Sequence, residues 1–225
     1  SPVHAPFSAD VQRFAPYSPS SRLFFNSLYA SPQALLGERA VRVALDALPG
    51  HASLEQLEQQ PLIDWPQAAK VRQDLLQALY QDFVQGEHPA RADFDSFRQA
   101  GGQALEDHCR FEALLDAAAE RGESQDWRQW PAAWLDPRSA EIAAFAAEHH
   151  VQVSFYVFCQ WLIARSLERA QSAARGSGMA VGLIADLAVG ADGAGSQAWS
   201  RQDELLADLH VGAPPDILNR AGPSW

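Results

Sequence analysis

The chain has 225 residues, of which 47% are hydrophobic and 20% are charged, and its formal net charge is −11. This composition is typical of a globular protein with a sizeable core, and the acidic excess excludes a nucleic-acid partner bound through clustered Lys and Arg. No apolar run approaches the roughly 20 residues that span a bilayer, and no signal-peptide pattern is visible. We therefore expect a cytoplasmic protein without a membrane partner.

The first 30 residues predict an ordered loop. They are rich in proline and serine, without helical or strand periodicity, but their aromatic side chains argue against disorder. Tyr17 lies between Pro16 and Ser18-Pro19, which restricts its backbone on both sides. Two roles remain open for this tyrosine: its ring stacks on the apolar face of a sugar, or it anchors the loop to the core.

Residues 31–150 are predicted to form a mostly helical subdomain. Asp64-Trp65-Pro66 is a typical helix start, apolar residues then recur every four positions, and Gly86 ends the pattern. A second apolar pattern follows Phe94, is broken at Gly101-Gly102 and ends at Arg121-Gly122. Pro137 to His149 predicts a further amphipathic helix.

Three tryptophans surround Pro131, at positions 127, 130 and 134, and we expect them to form core at a helix junction rather than a binding platform. Cys109 and Cys159 fall in helical patterns without a CxxC spacing, which favours buried thiols. The histidines lack ligand spacings such as HExxH, and the glycines between 190 and 195 do not fit a phosphate-binding loop. We therefore expect neither a metal nor a cofactor.

Residues 151–225 are predicted to contain a barrel helix, a strand and a long loop. A helical pattern runs from Val151 to Ala174, and the β-branched and aliphatic run Val181 to Val189 then predicts a strand buried on both faces, as in parallel sheets. Asp186 lies within this run, where a carboxylate is costly unless it is hydrogen-bonded or solvated. It either anchors neighbouring loops or binds a sugar directly.

Several segments together resemble the amylomaltase or 4-alpha-glucanotransferase family. They read PVHA at 2–5, APYSPSSR at 15–22, FY at 155–156, QWL at 160–162, GLIADLAVG at 182–190 and VGAPPDIL at 211–218, followed by Gly222 and Trp225. Their order and spacing cover essentially the whole chain. The resemblance implies an α/β fold, a partial (β/α)8 TIM barrel with a large, mostly helical inserted subdomain, divided at 1–30, 31–150 and 151–225.

The resemblance also implies a function and a site. The family transfers α-1,4-glucan segments between maltooligosaccharides by retaining double displacement, with one carboxylate as nucleophile and a second carboxyl as acid/base. Tyr17 and Trp225 match positions that stack on the glucan, and Asp216 matches a hydroxyl acceptor. Asp186 corresponds to the aspartate of the third barrel strand, and Pro214 belongs to the loop that covers the cleft.

Departures from the family pattern qualify this reading. The catalytic motifs R-[IV]-D-H and E-D-L-G do not occur in these 225 residues, and the usual S-P-Y and G-Q-x-W read Ala15-Pro16-Tyr17 and Gly222-Pro223-Ser224-Trp225. We therefore expect an internal portion of a glucanotransferase that needs the remainder of the barrel as its partner and is inactive alone. The alternatives are an inactive glucan-binding module, a truncated paralogue or an unrelated helical scaffold.

Overall fold

A computed structural model of the chain describes residues 2–48, 56–206, 209, 211–215, 217 and 219–222. Within these ranges the chain is mostly helical, and its sheet is one antiparallel pair, β1 (His4–Ala5) and β2 (Ser21–Phe25). His4 pairs with Phe25 and Ala5 with Ser21, so the register is irregular between the two positions of β1. This short pair joins the two ends of the N-terminal loop formed by residues 6–20.

The next part of the chain forms the helices α1 (Gln33–Leu36), α2 (Glu38–Ala47) and α3 (Trp65–Gln85). Helix α3 begins as the sequence predicts, because an Asp64 carboxylate oxygen accepts a hydrogen bond from the Gln67 amide at 3.1 Å and Pro66 occupies the first turn. It ends before Gly86. Its inner face is buried and comprises Ala69, Leu75, Leu76, Leu79, Tyr80 and Phe83.

Helix α4 (Arg91–Glu120) has a kink at Gly102, whose φ of 53° lies in the left-handed region. The predicted Gly101-Gly102 break is therefore confirmed, and glycine adopts this conformation with less strain than any other residue. The segment after the kink carries much of the core, with Leu105, Phe111 and Leu115 at most 1% exposed. It also carries the buried polar residues Asp107, His108 and Glu112.

Two further helices, one short and one long, contribute to the core. Helix α5 (Ala140–Glu148) begins where Ser139 Oγ accepts from the Ile142 amide at 3.2 Å, and α6 (His150–Gly176) packs along α4. Trp130 and Trp134 are buried, with ring centroids 5.8 Å apart in an edge-to-face arrangement. The prediction of core is therefore confirmed for these two tryptophans, and Trp127 is partly buried against the same core. The cluster lies near α7 (Ser196–Ser200), which supplies the buried Trp199.

The strand predicted for Val181 to Val189 does not form in this structure. These residues carry no strand, and Ile184 and Leu187 are 87% and 68% exposed. A strand needs a neighbouring chain to share its ladder of hydrogen bonds, and side chains bond this backbone instead. Gln171, for example, accepts from the Leu183 amide at 2.6 Å and donates to the Val181 carbonyl at 3.0 Å. In the described residues the α/β barrel layer is thus absent, and the helix expected to pack on it packs on α4.

Both cysteines are buried free thiols, as the sequence predicts. Among the described residues, no helix combines the length and apolarity needed to cross a membrane. The same part of the chain holds no cluster of three or more His, Cys, Asp or Glu side chains arranged to bind a metal ion.

Candidate functional site

Tyr17 and Asp186 lie together on the surface, although 169 positions separate them in the chain. The Tyr17 hydroxyl donates to Asp186 Oδ2 at 3.1 Å, and this hydrogen bond to a carboxylate raises the pKa of Tyr17. Tyr17 lies within a tight turn in which the Ser18 amide donates to the Ala15 carbonyl at 3.2 Å. Because Tyr17 is 53% exposed, it does not anchor the loop in the core.

The backbone after Asp186 is held by two side chains from the N-terminal pair of strands. The Ala188 amide donates to His4 Nε2 at 3.1 Å, and Arg22 donates to the Val189 carbonyl at 2.8 Å. Partial burial, reinforced by the Arg22 charge, lowers the pKa of His4. A neutral His4 keeps Nε2 as an acceptor, so this state of the ring preserves the contact with Ala188.

A second set of contacts attaches residues 192–197 to the same loop. Arg13 and Asp192 form an ion pair, and the Asp192 amide donates to the Pro19 carbonyl at 2.8 Å. Next to it, the Ser196 amide donates to Ser20 Oγ at 2.9 Å. A side chain at Gly195 would collide with the Ser20 backbone, since a Cβ there would lie 2.5 Å from the Ser20 Cα. The close approach of the two segments therefore requires glycine at position 195.

Sequence reasoning did not single out Arg13, Asp192 or Gly195. Arg13 and Asp192 are separated by 179 positions, so no periodicity or local spacing connects them. A pattern of segments could place the two stretches in one site, but it could not pair individual side chains.

The remaining predicted site residues are less informative. Pro214 is exposed on the surface. Asp216 and Trp225 lie outside the described residues. The structure therefore brings together Tyr17 and Asp186, and the assignments of Pro214, Asp216 and Trp225 stay predictions.

The pair of Tyr17 and Asp186 offers the two kinds of contact that a carbohydrate needs. An exposed aromatic ring can cover the apolar face of a pyranose, and a carboxylate accepts hydrogen bonds from sugar hydroxyls. His4 and Arg22 fix the backbone beside the carboxylate, so Asp186 is held relative to the ring. The ring and the carboxylate can therefore bind and orient a polyhydroxylated ligand, and we assign neither of them a step in breaking a bond.

Comparisons with known proteins agree on one family. Residues 1–225 match the family model described as 4-alpha-glucanotransferase. The 4-alpha-glucanotransferase of Mycobacterium tuberculosis (strain H37Rv) is 32% identical over 213 residues, which are 94% of this chain and 28% of that protein. The 4-alpha-glucanotransferase of Haemophilus influenzae is 27% identical over 236 residues, covering 100% of this chain and 34% of that protein. The chain thus spans about a third or less of the length of these relatives.

Solved structures give the same result at the level of the fold. The crystal structure of amylomaltase from Corynebacterium glutamicum superposes with a TM-score of 0.67 at 25% identity, over 100% of this chain and 29% of that one. Amylomaltase from Streptococcus agalactiae, in complex with acarbose, has a TM-score of 0.73 at 16% identity, over 100% of this chain and 43% of that one. The described helices are therefore arranged as in the corresponding part of these proteins.

Proposed function

The chain belongs to the 4-alpha-glucanotransferase family, and we propose that it serves retaining transfer of α-1,4-glucan segments between maltooligosaccharides by positioning the glucan. The observation that carries this proposal is the hydrogen bond of 3.1 Å between Tyr17 and Asp186, which joins a half-exposed aromatic ring to a carboxylate. A related amylomaltase is known in complex with acarbose, which supports a carbohydrate ligand for this surface.

In this proposal the ring of Tyr17 covers one face of a glucose unit, and Asp186 accepts a hydrogen bond from a hydroxyl of the same unit or its neighbour. Pro214, Asp216 and Trp225 extend the surface through the loop that resembles the family's cleft cover. The transfer itself requires a nucleophilic carboxylate and an acid/base carboxyl roughly 5–5.5 Å apart. The family motifs that carry these groups do not occur in the 225 residues, so we assign the chain no catalytic residue.

We also propose that the chain is part of a (β/α)8 barrel and that the protein is cytoplasmic. We assign residues 1–30 to an active-site loop, 31–150 to a helical insertion and 151–225 to a barrel helix, strand and covering loop. The exposed apolar side chains of Ile184, Leu187 and Val189 support a strand that needs neighbours from the remainder of a (β/α)8 barrel. A cytoplasmic location is the expected setting for maltodextrin or glycogen metabolism.

Calorimetric titration of the 225-residue chain with maltoheptaose tests the glucan site. We expect binding that Tyr17→Ala abolishes and Asp186→Asn weakens, because the first removes the stacking face and the second removes a charged acceptor. Tyr29→Ala is the matched control, since Tyr29 is also an exposed tyrosine of the N-terminal segment, at 46% exposure. Equal losses from Tyr17→Ala and Tyr29→Ala would contradict the assignment of the site.

The same chain should release no glucose from maltotriose above a buffer blank, because glucan binding without a nucleophile gives no transfer. Glucose release by the purified chain would show that catalytic groups exist among these residues and would overturn the assignment of a purely positioning role.

A further inference from the structure

A cavity of about 350 Å³ lies between the N-terminal loop and the helices α3, α4 and α6. This volume falls within the range of small-molecule sites, about 300–1,000 Å³. Phe14 and Trp65 form its mouth, since they stack with centroids 6.1 Å apart and are 51% and 37% exposed. Much of the remaining wall is apolar or aromatic, with contributions from Phe7, Val11, Phe25, Leu28 and Ala69.

Glu112 also lines this cavity, and its side chain is only partly satisfied. The residue is 2% exposed, and its Oε2 accepts from the Ser8 hydroxyl and from the Ser8 amide, the latter at 3.3 Å. Its Oε1 has no hydrogen-bond partner among the described residues. The Nδ1 atom of His108 lies 3.9 Å from Oε1, beyond hydrogen-bond range, and is 2.8 Å from Ser196 Oγ. A buried carboxyl oxygen is thus left for a bound group.

The charges around Glu112 favour a cation as that group. Asp116 is linked to it through Tyr156, whose hydroxyl donates to Asp116 at 2.6 Å and lies 3.2 Å from Ser8 Oγ. Asp10 is a further acid of the lining. The positive charge of Arg13, also in the lining, is paired with Asp192.

The other titratable groups near Glu112 supply no cation. Burial lowers the pKa of His108 to about 3, so this ring is neutral at physiological pH. Burial raises the pKa of the Cys159 thiol, which is then neutral as well. Burial, with repulsion from Asp116, also raises the pKa of Glu112 to about 8. A positively charged ligand beside Glu112 would stabilise its ionised carboxylate against both its burial and the repulsion from Asp116.

We propose that this cavity binds a small organic amine, with the ammonium group at Glu112 Oε1 and the apolar body between the aromatic walls near Phe14 and Trp65. An ammonium donates a charge-assisted hydrogen bond to a carboxylate, and the aromatic walls remove the apolar body of the amine from water. The glucan surface at Tyr17 and Asp186 has no part in this contact, and the inference does not depend on the proposed transferase function.

Binding of the amine releases one proton from Glu112. Below pH 8 the amine arrives protonated while Glu112 is mostly protonated, so formation of the ion pair releases the Glu112 proton to the buffer. The affinity therefore increases as the pH rises towards about 8, the pKa of Glu112. A neutral ligand of the same shape releases no proton.

Isothermal titration of the 225-residue chain with 2-phenylethylamine, in two buffers of different ionisation enthalpy at pH 6.5, tests the proposal. We expect binding with release of close to one proton. At pH 8, where deprotonation of Glu112 costs little, the isosteric 2-phenylethanol should bind at least about tenfold more weakly, as should the amine to Glu112→Gln, since a charge-assisted bond is lost. Glu120→Gln, which removes an exposed acid of the same helix, should leave amine binding unchanged.

Two results would overturn the proposal. Equal affinities for the amine and the alcohol would show an apolar cavity without cation recognition, and a lack of amine binding would show no site. The proton count on the unmodified chain needs no variant, so it decides the question even if Glu112→Gln does not fold.

Discussion

Two tyrosine–aspartate pairs in this chain form the same hydrogen bond in different surroundings. Tyr17 donates to Asp186 at 3.1 Å on the surface, and Tyr156 donates to Asp116 at 2.6 Å beside the cavity. The hydrogen bond to Asp186 is the main cause of the raised pKa of Tyr17, whereas burial is the main cause of the raised pKa values of Tyr156 and Asp116. When the exposed hydrogen bond breaks, water or a ligand can replace it at little cost. Loss of the enclosed hydrogen bond instead lowers the free energy of unfolding.

The largest expected effect concerns Glu112 and the pH dependence of stability. Glu112 has an ordinary pKa of 4.5 and a folded-state pKa of about 8, so the folded chain binds more protons between these values and the free energy of unfolding falls as the pH rises. His108 acts in the opposite sense between about pH 3 and its ordinary pKa of 6.5. Together they predict a plateau from about pH 4.5 to 6.5, with losses on both sides.

Glu112→Gln should remove the alkaline loss, which amounts to roughly 1.4 kcal/mol per pH unit while the difference in protonation is complete. Urea unfolding at pH 5, 6.5 and 8 measures it, with Glu120→Gln as the exposed control. If the variant and the unmodified chain lose stability in parallel above pH 6.5, the buried carboxyl is not the titrating group.

A smaller effect is expected where the surface site depends on close backbone approach. Gly195→Ala would place a Cβ 2.8 Å from the Ser20 carbonyl carbon, so residues 195–197 must move away from the loop. We expect a loss of about 1–3 kcal/mol in the free energy of unfolding, the usual range for overpacking. Gly193→Ala is the matched control, because its Cβ would meet only Arg128, at 3.4 Å or more. Equal unfolding midpoints for the two variants would contradict the close approach.

The enclosed pair is tested by Tyr156→Phe, which deletes one hydroxyl and keeps the ring. Asp116 then keeps the hydrogen bond from the Gln152 side-chain amide at 2.6 Å, and the Ser8 hydroxyl loses its contact with Tyr156. We expect a loss of about 1–2 kcal/mol in the free energy of unfolding, since an enclosed carboxylate loses a donor. Urea denaturation measures it. An unchanged midpoint would mean that water replaces the hydroxyl and that the pair is as accessible as the one on the surface.

The two regions also differ in how far the sequence predicted them. Tyr17 and Asp186 belong to segments with a recognisable order, so the resemblance singled out both residues, although it did not pair them. Glu112 and Asp116 lie four positions apart within a long helical pattern, and nothing local marks Glu112 as buried or Asp116 as partly buried. Their environment is created by Ser8 and Tyr156, which contact them from 104 and 40 positions away.

Elements with local signals were predicted well, and those that depend on distant neighbours were not. Asp64, Gly86 and Gly102 act on their own helices, and each was confirmed. The apolar run at 181–189 has the composition of a buried strand, but a strand forms only beside another strand, and the described residues supply none there. Side-chain periodicity describes what a segment would bury and does not reveal whether a partner is present.

The smallest effect on stability is expected for Tyr17→Phe, which removes the same hydroxyl as Tyr156→Phe but in water. Because Tyr17 and Asp186 are both exposed, solvent can replace the lost bond, and the urea midpoint should not change measurably. Maltoheptaose binding should persist with reduced affinity, because the ring still stacks while the carboxylate loses the hydroxyl that orients it. A midpoint shift as large as that of Tyr156→Phe would show that the surface pair contributes to folding, and the contrast between the two pairs would fail.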